Sequence, residues 1–194
     1  RIGIVSFATD VTINHGLAGA TSRGALISAV NGLQAVGGTF TQGGMHQARL
    51  MLGSSTADMK SIVLLSDGQP TFSCEIDYAY RMDTANLQPF DDGWETRTDT
   101  PENMYNCNNR VGNGSNLRQR YDNPGGTAND KWYHNGNSAI AEAGFAKASG
   151  YTVYTIALEA GTTGTQILTA MASPGKAYTA TPSELNQIFA EIAG

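Results

Sequence analysis

The hydrophobic positions along the chain change period several times. Arg1 to Ala8 (RIGIVSFA) is a strand-type run, Thr9-Asp10 reads as a turn, and Val11 to Asn14 as a weaker second strand. The two predict a hairpin at a sheet edge. From Ser22 to Val36 the residues Leu26, Ile27, Val30, Leu33 and Val36 recur at three- and four-residue steps, as one face of a helix does. Thr21 or Ser22 can cap its start, and Gly37-Gly38 ends it. A short loop, Thr39-Phe40-Thr41, leads to a second helix from about Gly43 to Leu52, with Met45, Ala48, Met51 and Leu52 inward. Then comes Ser61-Ile62-Val63-Leu64-Leu65, short and evenly apolar, which predicts a central strand of a parallel sheet buried on both faces. It stops at Ser66-Asp67-Gly68-Gln69-Pro70, which sets a carboxylate at the strand's carboxyl end, where open α/β sheets bind ligands.

Between Thr71 and Gly136 the periodicity fades and Asn, Asp, Gly and Arg accumulate. This stretch holds both Trp, five of the eight Tyr and both Cys, and its ten acidic residues against six basic ones carry most of the net charge of −5. A structureless loop of that length is improbable inside a compact domain. It therefore reads as a folded excursion whose aromatic, polar surface suits binding; the alternative is a rigid subdomain with its aromatics turned inward. Trp94, Tyr105 and Trp132 are its candidate ligand-binding residues. Core periodicity resumes with a helix from Ser138 to Ala148, a strand from Tyr151 to Leu158 and a helix near Thr165 to Met171. A short strand around Lys176 to Thr179 and a final helix from Ser183 to Ile192 close the series. Strand and helix alternate, which predicts an α/β fold, a doubly wound, mostly parallel sheet with helices on both faces. The core is then 1–70 with 137–194, and 71–136 is the insertion.

Composition narrows the field. A chain of 194 residues with 40% hydrophobic content suffices for one domain carrying a large insertion. No apolar run approaches the roughly 18 residues of a membrane span, and the acidic balance argues against nucleic acid as a partner. The chain opens on Arg1-Ile2-Gly3-Ile4-Val5, already inside a strand pattern, and reads as a piece of a longer protein. Cys74 and Cys107 lie in no Cys-x-x-Cys pair and far in sequence from His15, His46 and His134, which argues against zinc. They read as a disulfide closing a loop of about 30 residues in an oxidising compartment. Two buried free thiols are the alternative.

Three features now converge: a strand ending in Ser66-Asp67-Gly68, a Gly-Gly-Thr-x-Thr loop from Gly37 to Thr41, and the alternating series that follows. Together they resemble the von Willebrand factor A (VWA) domain over nearly all of the chain except the insertion. The resemblance implies a Rossmann-like fold with a metal-ion-dependent adhesion site (MIDAS) at the top of the sheet. Its ligands are an Asp-x-Ser-x-Ser triplet after the first strand, a threonine from the Gly-Gly-Thr loop and an aspartate from the Asp-Gly strand end. By motif these last two are Thr39 and Asp67. Hydroxyl and carboxylate donors favour Mg²⁺, Mn²⁺ or Ca²⁺. The triplet is absent, because residue 1 corresponds to the family's second strand; the missing strand is normally central, and without it two sheet edges and half a core are exposed. The cation is then held only if that strand is supplied from upstream, and Asp10, in a hairpin turn, is no substitute.

The insertion resembles those of Gram-positive pilus tip adhesins. That likeness implies a non-enzymatic, extracellular adhesion domain on a pilus tip or cell wall. Its partners would be a host extracellular-matrix protein or glycan and, in the parent protein, other pilus subunits. Two other readings keep the fold: an intracellular assembly module partnering an ATPase, which a disulfide would oppose, and a metal-independent glycan-binding module using the insertion's aromatics. Catalysis finds no support, since no Gly-Lys-Ser/Thr follows Gly37 to Gly44 and neither a Gly-x-Ser-x-Gly elbow nor a Cys-His pair is present.

Overall fold

The computed structural model describes residues 1–17, 22–34, 36–77, 101–121 and 131–194. Strands β1 (Ile4–Phe7) and β2 (Val11–His15) form the expected antiparallel hairpin, Phe7 opposite Val11 and Val5 opposite Ile13. Helix α1 (Arg23–Asn31) begins at Ser22, whose hydroxyl accepts the Ala25 N–H at 3.1 Å. It ends at Gly32, earlier than Gly37-Gly38, and buries none of its residues. Helix α2 (Thr41–Gly53) brings Met45 into the core.

Strand β3 (Ser61–Ser66) is parallel to β8 (Thr152–Leu158), which is parallel to β9 (Ala177–Ala180). The three form one sheet in the order β3-β8-β9, with helices on both of its faces. On one face α2, α3 (Asn135–Ala148) and α4 (Gly161–Met171) pack over Ile62, Leu64, Val153 and Ala157. Ala139, Ala143 and Ala146 in α3 are fully buried, so small side chains let this helix lie close to its neighbours. On the other face α5 (Leu185–Ala193) sets Ile188 against Ile156 and Ala180. A capping box between Thr181 and Glu184 opens the turn that leads into it.

Strand β3 departs from expectation. Ile62, Leu64 and Ser66 are buried, whereas Ser61 is exposed and Val63 is 41% exposed. The uncovered face and the unpartnered stripe of α1, with Ile27 at 46% and Val30 at 52% exposure, have one physical reason. Among the described residues no further element covers these outward positions, although Leu65 packs with Ile188 of α5 and α1 lies against the β1–β2 hairpin. The sheet edges agree. Among the described residues β1 pairs only with β2 and β3 only with β8, yet Phe7 of β1 packs on the same core cluster as Ile62 and Leu64 of β3.

Between β3 and α3 lie two further hairpins. β4 (Phe72–Ile76) pairs antiparallel with β5 (Tyr105–Gly112), and β6 (Arg118–Tyr121) with β7 (Lys131–His134). Cys74 and Cys107 form a disulfide across β4 and β5. Next to a bulge after Cys74, the Cys74 N–H donates to Oε1 of the buried Gln42 of α2 at 2.8 Å. Asn135, fully buried, accepts from the Ser73 hydroxyl at 2.9 Å and donates to Asn116 O at 3.0 Å, tying β4 and the 113–117 turn to α3.

Candidate functional site

At the carboxyl end of β3 the loop that carries Thr39 lies against the turn that carries Asp67. Thr39 is fixed through its backbone. Its N–H donates to Thr71 Oγ1 at 2.7 Å, and its carbonyl accepts from Thr71 N at 2.9 Å and Phe72 N at 3.2 Å. The preceding loop is anchored too, with Gly38 N–H on Thr9 Oγ1 at 3.0 Å and Phe40 N–H on Ala8 O at 2.9 Å. Gly37 has φ +87°, open to glycine at little cost. A Cβ on Gly38 would fall 2.6 Å from the Phe72 ring and 2.9 Å from Gly114 Cα, so glycine alone lets loop and insertion meet. Every backbone group of Thr39 is thus occupied while its hydroxyl, among the described residues, makes no hydrogen bond.

That hydroxyl faces the turn after β3. Thr39 Oγ1 lies 3.7 Å from the position a Cβ on Gly68 would take. From the opposite side α4 comes up against the same turn: a Cβ on Gly164 would sit 3.5 Å from Gly68 C and O. The Ser66 hydroxyl turns back to the Gly68 backbone at 3.4 Å. Asp67 is exposed, and no hydrogen bond or ion pair occupies its carboxylate among the described residues. The Thr39 hydroxyl against the Gly68 turn and the Asp67 carboxylate on the residue before it, neither one hydrogen-bonded among the described residues, are hard oxygen donors of the kind that Mg²⁺, Mn²⁺ or Ca²⁺ accept. These two fit part of such a coordination set. Asp10 is engaged elsewhere, in an ion pair with Arg110, whose guanidinium also lies 4.5 Å over the Phe72 ring.

Trp94 lies outside the described residues, Trp132 sits in β7, and Tyr105 opens β5 with its ring edge-on to Phe145 at 6.1 Å. Tyr105 also lines a cavity of about 480 Å³ with His46, Glu102, Asn103 and Glu142. Behind it is a charged network that the pattern of the sequence did not single out. Glu142 of α3, 1% exposed at the side chain, accepts from Arg49 Nε at 2.7 Å and lies 3.2 Å from His46 Nδ1. Arg49 Nη2 reaches Glu102 at 2.6 Å. Burial penalises the Arg49 charge, but its hydrogen bonds to Glu142 and Glu102 and their charges outweigh that and hold its pKa above the ordinary value. The signal was present: a glutamate amid Ile140, Ala141 and Ala143, and an arginine beside Ala48.

His134 is a second group that residue patterning passed over. It is 3% exposed and caps α3, its Nδ1 accepting from Asn137 N–H at 3.1 Å. The helix therefore begins at Asn135 rather than Ser138, because Asn135-Gly136-Asn137, loop-like in composition, is buried. Burial, reinforced by the Arg118 charge and only partly offset by a backbone hydrogen bond, pushes its pKa down to about 3. Unfolded, it would protonate near its ordinary value of about 6.5. The unfolded state then binds more protons below that pH, and stability falls as pH drops from about 6.5 towards 3, by at most about 1.4 kcal/mol per pH unit. We predict that urea unfolding at pH 5 to 6.5, above most carboxylate titration, shows this slope and that His134→Asn, which keeps a capping acceptor, flattens it. An unchanged slope in the variant would overturn the assignment.

Comparison with known proteins follows this geometry. Minor fimbrium subunit Mfa5 of Porphyromonas gingivalis is 29% identical over 235 aligned residues, spanning 100% of this chain. This chain covers only 19% of that relative's length. The crystal structure of the vWF domain of that type V pili tip protein superposes with a TM-score of 0.84 at 25% identity, over 100% of this chain and 78% of that one. The pilus adhesin SpaC of Lactobacillus rhamnosus GG shares the fold, with a TM-score of 0.67 at 20% identity over 98% of this chain and 24% of that one. So does proximal thread matrix protein 1 of the mussel byssus, solved with a zinc-occupied MIDAS motif, with a TM-score of 0.53 at 17% identity over 98% and 33%. The expected Gram-positive setting is not what the relative by sequence indicates, since Porphyromonas gingivalis is Gram-negative. Among the described residues no helix is long and apolar enough to cross a membrane. A family model of the von Willebrand factor type A domain matches residues 1–105, more than half of the sequence, and the chain belongs to that family.

Proposed function

We propose that this VWA domain is a non-enzymatic adhesion module on a bacterial pilus, gripping a host extracellular-matrix protein or glycan through a divalent cation held in part by Thr39 and Asp67. The observation that carries this reading is the unbonded Thr39 hydroxyl, its backbone held on both sides, facing the Gly68 turn beside the exposed Asp67. A cation there keeps coordination positions for water and for a carboxylate or hydroxyl of the partner. The remaining protein donors come from a strand seated between β1 and β3, parallel to β3. The unpaired edges of those strands, their shared core and the bare face at Val63 support it. The arm formed by residues 71–136 shapes partner choice, and the likeness to pilus tip proteins supports a place at the cell surface beside other pilus subunits. The disulfide opposes an intracellular module partnering an ATPase.

The test is binding of the parent protein to a panel of immobilised extracellular-matrix proteins and glycans, with Mn²⁺ or with a chelator. Binding is expected to be lost on chelation and restored by Mn²⁺. Binding that survives chelation would sink the metal-dependent reading and leave recognition to the aromatic residues of the arm.

A further inference from the structure

We propose a second, separate metal site, for a soft divalent ion such as Zn²⁺, formed by Cys107, His46 and Glu142 and opened when the Cys74–Cys107 disulfide is reduced. The Cys107 sulfur, a His46 ring nitrogen and a Glu142 carboxylate oxygen all lie within 4.8 Å of one another. They come from three elements, β5, α2 and α3, and two of them line the cavity of about 480 Å³. In a tetrahedral zinc site, with bonds of about 2.0 to 2.3 Å, ligand atoms stand roughly 3.5 Å apart. Small side-chain movements therefore close the set, and the cavity leaves room for a water as fourth ligand.

The oxidation state decides whether the sulfur can serve. A disulfide sulfur is no thiolate, so the oxidised protein offers only imidazole and carboxylate. Reduction by a dithiol proceeds by exchange: the reductant's two thiols become a disulfide, and Cys74 and Cys107 each gain one electron and one proton. The metal then replaces the Cys107 proton, which passes to solvent. The two cysteines are not equivalent afterwards. Cys74, fully buried with Phe40 and Phe72, remains as a small apolar side chain, whereas Cys107 is only half-buried, beside His46 and Glu142. Arg49 holds Glu142 through Oε1, and the second carboxylate oxygen is the one available to a metal. The bound ion would tie β5 to α2 and α3, replacing the lost staple with a metal clip. This site uses a sulfur, a nitrogen and a carboxylate oxygen and does not depend on the oxygen site at Thr39 and Asp67.

The experiment is a Cd²⁺ titration of the full chain, read by the ultraviolet thiolate-to-metal charge-transfer band, which an all-oxygen site cannot give. Cys74→Ser leaves Cys107 free without any reductant and is expected to show the band at one equivalent of metal. The oxidised wild type and Cys107→Ser show none. Zn²⁺ should compete the band away, and His46→Ala or Glu142→Gln in the Cys74→Ser background, each removing a direct ligand, should weaken binding by more than the roughly 10- to 100-fold that outer-shell partners contribute. If Cys74→Ser does not fold, the dithiol-reduced wild type replaces it. No band in a folded protein with free Cys107, or a band equally strong without His46 and Glu142, would overturn the proposal.

Discussion

Asp67→Ala is expected to remove Mn²⁺ binding while leaving the fold intact. Losing a charged ligand outright should exceed the roughly 10- to 100-fold that outer-shell partners contribute, so a calorimetric titration should fall below detection. Asp67 is exposed and makes no hydrogen bond or ion pair among the described residues, so its removal should change stability by no more than about 0.5 kcal/mol. Thr39→Val should weaken binding less, because it deletes a neutral donor at a residue whose backbone is fixed by Thr71 and Phe72. Because the proposed reading takes the remaining donors from a strand between β1 and β3, the titration is run on a polypeptide extended to include one, with this polypeptide alongside. Saturable binding by the extended polypeptide that Asp67→Ala leaves unchanged would remove Asp67 from the site. Binding by the extended polypeptide but not by this one would locate the remaining donors outside these 194 residues.

The two loops of the candidate site were legible because their parts are local. Ser61 to Leu65 is a short apolar run broken by Asp67-Gly68 and Pro70, and a strand that ends on a turn puts its next carboxylate at the sheet's rim. Gly37-Gly38-Thr39 was legible for a similar reason: φ +87° at one glycine and a ring 2.6 Å from a Cβ on the next leave few other residues possible. Tertiary context was not. The uniform apolarity of Ser61 to Leu65 matches a strand covered on both faces, and Val63 is bare because cover must come from something the described residues do not contain. The same absence explains α1, whose Ile27 and Val30 stay exposed while Leu26 and Ala29 are only half-buried. At α3 the error ran the other way. Asn135-Gly136-Asn137 looks like a loop, and only the contacts of Asn135 with Ser73 and Asn116 show why such polar residues can be buried and helical.

The largest stability effect should come from Arg49. Glu142 is 1% exposed at the side chain, and Arg49 is the cation that hydrogen-bonds it. Arg49→Met keeps the length of the side chain but leaves a buried carboxylate with only His46 beside it, and breaking a buried pair this way costs about 3 to 5 kcal/mol. For a domain of this size that corresponds to a melting temperature lower by roughly 6 to 20 °C. The double variant Arg49→Met, Glu142→Leu should recover most of the loss, since replacing both charges by apolar groups removes the desolvation cost along with the attraction. Glu102 separates the two halves of the network. Its side chain is 55% exposed, so Glu102→Gln should cost under about 1 kcal/mol. It should, however, speed amide exchange in residues 101–112, which Arg49 ties to α2 and α3 through Glu102 and Glu142. If Arg49→Met costs no more than Glu102→Gln, the charged network is a surface feature and α2 and α3 are held by apolar packing alone.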